Sequence, residues 1–118
     1  MTIESCYNHM DADYENVLER LMNDRLVYKY NKKFAAAQDY NSLVKALEDK
    51  DYELAFRMSH NLKGMSANLA YTGLWQVSSD LCEELRGGAP KIDVQPLMDK
   101  VTEKYNLVIE YIAQMDEA

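Results

Sequence analysis

The sequence predicts an all-α protein: an antiparallel up-down four-helix bundle with one or two extra short N-terminal or connecting helices. Apolar residues recur at helical spacing along nearly the whole chain. No stretch keeps the period-two alternation that marks a half-buried strand. Only four glycines and two prolines interrupt 118 residues, so turns are few and elements long. No Asn-Gly or Asp-Gly pair offers a tight hairpin turn.

Taken in order, "DADYENVLERLMND" reads as a first helix, with Asp11 or Asp13 as N-cap and Tyr14, Val17, Leu18 and Leu21 as its apolar stripe. A second helix follows Asp24 and turns Leu26, Val27, Tyr30 and Phe34 inward. "QDYNSLVKALEDKD" gives a short linking helix around Leu43, Val44 and Leu47, capped by Asn41 or Ser42. Asp51 caps the next helix, from Tyr52 to about Leu69. Thr72 or Gly73 opens another, with Leu74, Val77, Leu81 and Leu85 inward. "RGGAP" ends it, because Gly87 or Gly88 can take the left-handed conformation found at helix ends. Asp93 caps the last helix and Pro96 is tolerated in its first turn. Its stripe is Leu97, Val101, Tyr105, Val108 and Ile112.

The helices starting near Asp24, Asp51, Gly73 and Asp93 are expected to form the bundle, with short connections making neighbours antiparallel. The first helix then packs across one end. A chain of this length can bury a true core, and we expect a single domain over residues 1–118, its bundle core running from about residue 24 to residue 115.

The net charge is −7, which argues against general binding to nucleic acid, whose phosphates call for a basic patch. The one basic clump, Lys29, Lys32 and Lys33, is small and surrounded by acid. No apolar run is long enough to cross a membrane, and "MTIESCYNHM" lacks the pattern of a signal peptide. Cys6 and Cys82 match no zinc spacing and are expected to be reduced thiols. The expectation is a cytoplasmic monomer with no membrane or nucleic-acid partner.

The helix from Tyr52 to Leu69 carries the informative residues. On a helical wheel Leu54, Met58, Leu62, Met65 and Leu69 share one sector, the expected core stripe, with Ala55, Ser59 and Ser66 along its edge. His60 lies nearly opposite. Gly64 and Ala67, four and seven residues on, share its side, and Lys63 is close at three. Phe56, four residues before, is expected as an exposed apolar spot on the same face. A glycine inside a helix costs roughly 1 kcal/mol relative to alanine. Glycine is also the residue of choice where another group must approach a backbone. The bare surface beside His60 therefore reads as room for something arriving from outside.

An unperturbed histidine titrates near a pKa of about 6.5, so at neutral pH much of it is an uncharged nucleophile. Attack on a phosphoryl group gives a phosphohistidine, whose added negative charge a neighbouring lysine offsets. The chain holds no glycine-rich nucleotide loop and no acidic cluster with metal spacing beside His60. Any phosphoryl group must then come from a partner that supplies the metal and the leaving group. The alternative is a docking module of the same shape that is never phosphorylated.

The stretch "HNLKGMSANLA" resembles the signature of histidine phosphotransfer (HPt) domains: His60, Leu62, Lys63, Gly64, Ser66 and Leu69 fit it, while Ala70 stands where many members have glycine. The similarity extends over "LERLMNDRLVYKYNKKF" and "LVKALEDKDYELAFRMSHNLKG", and covers the chain from about Asp11 to Met115. It implies a phosphorelay carrier, not a kinase, of bacterial type. His60 would accept the phosphoryl group on its outward ring nitrogen and Lys63 would steady it. Phe56, Gly64 and Ala67 would face the incoming receiver. The implied partners are receiver domains of response regulators or a hybrid histidine kinase. No cofactor belongs to the chain itself, and Mg2+ is expected in the receiver.

His9 with Asp11 and Asp13 could be imagined as a metal site, but such a cluster near a terminus is expected to be solvated or capping. Trp75 is expected to pack between helices, the alternative being a place beside the docking face. The tyrosines, Tyr30 and Tyr105 among them, are expected at the core edge with a polar tip outward.

Overall fold

Short polar side chains start four of the seven helices. The carboxylate of Asp13 accepts from the Asn16 N–H, the amide oxygen of Asn23 from Leu26, and the carboxylate of Asp51 from Leu54, at 3.0–3.2 Å. Each such cap is worth about 1 kcal/mol. The computed structural model describes all 118 residues. They form seven helices: α1 (Ile3–His9), α2 (Tyr14–Leu21), α3 (Asp24–Ala36), α4 (Asp39–Glu48), α5 (Tyr52–Asn68), α6 (Thr72–Leu85) and α7 (Gln95–Ala113).

The bundle has four columns, and side-chain pairs give their directions. Arg86 lies over the Phe56 ring and Lys63 over Trp75, so α5 and α6 are antiparallel. Asn61 donates to Asp39 at 3.1 Å while Glu48 and Tyr52 are joined by a tight turn, so α4 and α5 are antiparallel as well. The fourth column is a broken one. Ala37 takes extended backbone, φ −69° and ψ 146°, between α3 and α4. Both halves then run down α7. Lys32 reaches the Ile112 carbonyl at 3.4 Å, and Tyr40 stacks on Tyr105 with centroids 3.9 Å apart and bonds Thr102 at 2.8 Å. The molecule measures 43 × 21 × 19 Å.

The all-helical expectation holds, with several corrections. The short helix around Leu43 is not a mere link: with α3 it makes up a bundle column. It begins at Asp39 after Gln38, and not at Asn41 or Ser42, so Tyr40 is brought onto α7. The last helix has Val94 at its N-cap position, although the Asp93 carboxylate does accept from the Gln95 N–H at 3.0 Å. Tyr30 points outward, 38% exposed, because Asn31 beside it turns in. Helix α1 is a further short helix ahead of the first one that the sequence pattern marks. Its buried Ile3, Cys6 and Tyr7, followed by Met10, pack on the bundle. Cys6 and Cys82 are both buried free thiols.

Helix α5 is rotated relative to the expected stripe. Ala55, Ser59, Leu62 and Ser66 are its fully buried residues, while Leu54, Met58 and Met65 are half-buried. The reason is close approach: with Ser78 and Cys82 opposite, small residues let α5 and α6 come together. The hydroxyls of Ser66 and Ser78 have no hydrogen-bond partner there.

Schellman motifs bracket α5, one before it and one after. At the end of α4, Lys50 has φ 56° and the Asp51 N–H donates to the Ala46 carbonyl at 2.8 Å. At the end of α5, Ala70 has φ 57° and the Tyr71 N–H donates to the Ser66 carbonyl at 2.9 Å. The glycine missing at position 70 is thus missing from a left-handed residue. Helices α1 and α2 seal this end of the bundle. Asp13 N–H bonds the Ala70 carbonyl, and Gly73 N–H bonds that of Asp11.

Inside the seal lies a buried polar knot. Asn31 donates to the Tyr7 hydroxyl at 3.0 Å and to the Val27 carbonyl at 2.8 Å, and accepts from the Tyr71 hydroxyl. Burial raises the pKa of Tyr7 and of Tyr71 well above the ordinary phenol range. Every group of the knot is satisfied, as a buried polar network requires.

Candidate functional site

His60 stands at the middle of α5, exposed, on the face turned away from the core. A helix holds its Cα by backbone bonds on both sides, so the ring starts from a rigid platform. Its aromatic neighbour is Phe56, one turn earlier, with centroids 6.2 Å apart and planes inclined at 43°. One turn later Gly64 is exposed, and a Cβ placed on it would meet nothing within 4 Å. No internal packing therefore demands a glycine there. Ala67, a further turn on, is half-buried and borders a recess of about 190 Å³ shared with Ser66, Ala70, Thr72 and Trp75.

Phe56 differs from expectation. It is half-buried and packs on the core, and the guanidinium of Arg86 lies 5.2 Å from its ring centroid. Arg86 was not foreseen at this face, since it follows α6 and reaches across only once the two helices are paired. It is held by Glu83 at 2.9 Å. That bond, and more weakly the Lys63 ammonium, keeps the exposed Glu83 carboxyl below its usual range.

Lys63 is half-buried, with its Nζ 6.0 Å from the Trp75 centroid. Trp75 itself is 36% exposed and borders this face, contrary to the expectation that it packs between helices. The α6 register explains it: Leu74 and Ser78 point in, which turns Trp75 out. The structure thus brings Phe56, His60, Lys63, Gly64 and Ala67 onto one side of α5 and adds Trp75 and Arg86 from α6.

The residues near the N-terminus are engaged elsewhere. His9 stacks on Tyr111 with centroids 5.1 Å apart, Asp11 pairs with Lys104 at 3.1 Å, and Asp13 caps α2. No group of three or more His, Cys, Asp or Glu side chains is arranged to hold a metal ion. No helix is long and apolar enough to cross a membrane.

Comparison with curated proteins and with solved structures returned no match. A family model for the Hpt domain matches residues 35–118, a span that begins at the end of α3 and includes His60 and every other residue of this face. With well over half its length matched, the chain belongs to the Hpt domain family, the phosphocarriers of histidine phosphotransfer in phosphorelays.

Proposed function

We propose that His60 is the phospho-acceptor of this Hpt domain. It takes a phosphoryl group from the aspartyl phosphate of one receiver domain and passes it to the aspartate of another. The outward ring nitrogen brings its lone pair to phosphorus. The bond from phosphorus to the aspartate oxygen breaks, and the carboxylate leaves with that electron pair, while the other ring nitrogen keeps its proton. Transfer onward is the same exchange in reverse. The receiver supplies Mg2+ and the leaving group, and the chain contributes an oriented nucleophile. Lys63 steadies the phosphoryl oxygens as a nearby cation.

One observation carries this reading: an exposed imidazole at mid-helix with open space over Gly64 one turn away. Phe56, Gly64 and Ala67 form the ground on which a receiver's active-site loops would rest. The partners are receiver domains of response regulators or of a hybrid histidine kinase, met by a monomer in the cytoplasm.

Incubation with a phosphorylated receiver domain tests the assignment. The expected product is an acid-labile phosphoprotein that His60→Gln abolishes. Equal labelling of the His60→Gln variant overturns it. Receiver binding that persists in His60→Ala, with no label in the unmodified protein, favours a docking module instead.

A further inference from the structure

The geometry points to Trp75 as the resting seat of the Lys63 ammonium, a positioning residue that gives this lysine two places to sit. The inference rests on the reading of His60 as phospho-acceptor. The Nζ of Lys63 stands 6.0 Å from the Trp75 centroid, the distance at which an indole face attracts a cation. Trp75 is the only tryptophan in the chain.

Direction matters here. Helices α5 and α6 are antiparallel, Arg86 lies over Phe56, and Trp75 lines a recess with Ser66 and Ala67. Seen from His60, Trp75 is therefore on the far side of Lys63. Helical side chains lean toward the N-terminus of their own helix, which for Lys63 is the direction of His60. An ammonium attracted to the indole is therefore drawn away from His60. Glu83, the carboxylate that feels this ammonium, is already engaged by Arg86 at 2.9 Å.

A phosphoryl group on His60 brings about two negative charges at neutral pH, and draws the ammonium off the indole. When the group leaves, the ammonium returns. Trp75 thus competes with the phosphoryl group for Lys63. It shortens the life of the phosphohistidine and favours handing the group on.

Nuclear magnetic resonance of the resting protein should find the Lys63 ε-methylene protons shifted upfield by the indole ring current. Trp75→Leu should abolish that shift, and Trp75→Phe should keep part of it. Labelling His60 with phosphoramidate should move these protons downfield and change the indole emission, and Lys63→Met should remove the emission change. Hydrolysis of the phosphohistidine, in which water attacks phosphorus and the N–P bond breaks to release orthophosphate, should be about two- to fivefold slower in Trp75→Leu, from the strength of one exposed cation–π contact. Trp75→Phe should fall between. Unshifted Lys63 protons in the resting protein, or a phosphohistidine in Trp75→Leu no longer-lived than in the unmodified protein, overturn the seat. Absence of any label on His60 is a different failure: it removes the acceptor assignment itself, and with it the second position of the lysine.

Discussion

The hydroxyl of Tyr7 on α1 donates a buried 2.9 Å hydrogen bond to the carbonyl of Leu69, the residue that caps the helix carrying His60. A segment outside the span shared with other Hpt domains thus holds one end of the central helix. The same hydroxyl accepts from Asn31, so α1, α3 and the α5–α6 turn meet at one oxygen.

Tyr7→Phe should destabilise the fold by about 1–2 kcal/mol, the worth of a buried hydrogen bond plus the carbonyl left without it. Asn31→Ala should cost more, about 2–3 kcal/mol, because it also orphans the Tyr71 hydroxyl. Urea unfolding of the two variants checks the order. Equal stability of Tyr7→Phe and the unmodified protein would show that the knot contributes nothing.

The same phenols predict an alkaline limit. Burial raises the pKa of Tyr7 and Tyr71 above that of an unfolded tyrosine, about 10. A raised folded value means that the unfolded chain gives up these protons first. The contribution is complete below about pH 10 and is lost as pH climbs through the interval above it. Urea midpoints should hold steady up to pH 9 and fall above 10, and the fall should be shallower in Tyr7→Phe. Parallel curves for the two proteins would refute the assignment.

At Gly64 stability and transfer are expected to part company. Nothing stands within 4 Å of a Cβ placed there, so Gly64→Ala should raise stability by about 1 kcal/mol through helix propensity alone. Gly64→Leu should also fold normally, yet slow phosphotransfer from a receiver tenfold or more, because its bulk stands in the approach path. Circular dichroism and transfer kinetics, measured on the same preparations, separate the effects. Unchanged kinetics in Gly64→Leu would mean that the space is not used.

Left-handed residues at the two ends of α5 offer room for improvement. Lys50 and Ala70 hold φ 56° and 57°. A residue with a Cβ is penalised there and glycine is not. Lys50→Gly should therefore stabilise by about 0.5–1 kcal/mol. Ala70→Gly should gain less, since Ala70 is a core residue and its methyl contact is given up. A lowered melting temperature in Lys50→Gly would contradict the strain at that turn.

Most of this was legible in the sequence where the signal is local. The cap at Asp51, the left-handed glycines after Leu85 and the outward position of His60 follow from spacing alone, and for α2 spacing narrows the cap to Asp11 or Asp13, of which the structure uses Asp13. Helix α1 has only seven residues, so the helical spacing of Ile3, Cys6, Tyr7 and Met10 is too short a run to stand out as a stripe. The rest depends on distant partners. Asn31 turns inward because tyrosines 24 residues before it and 40 after it meet it there. Phe56 is covered by an arginine thirty positions away, and the core stripe of α5 shifts because α6 comes close enough to prefer serine over leucine. None of these has a signature in its own neighbourhood.

A single imidazole on a single side of one helix has a kinetic corollary in the proposed relay. Supplier and recipient must alight on the same ground, so they take turns and no ternary assembly forms. A large excess of empty recipient should then slow loading by occupying the landing area, and traffic through the carrier should follow ping-pong kinetics.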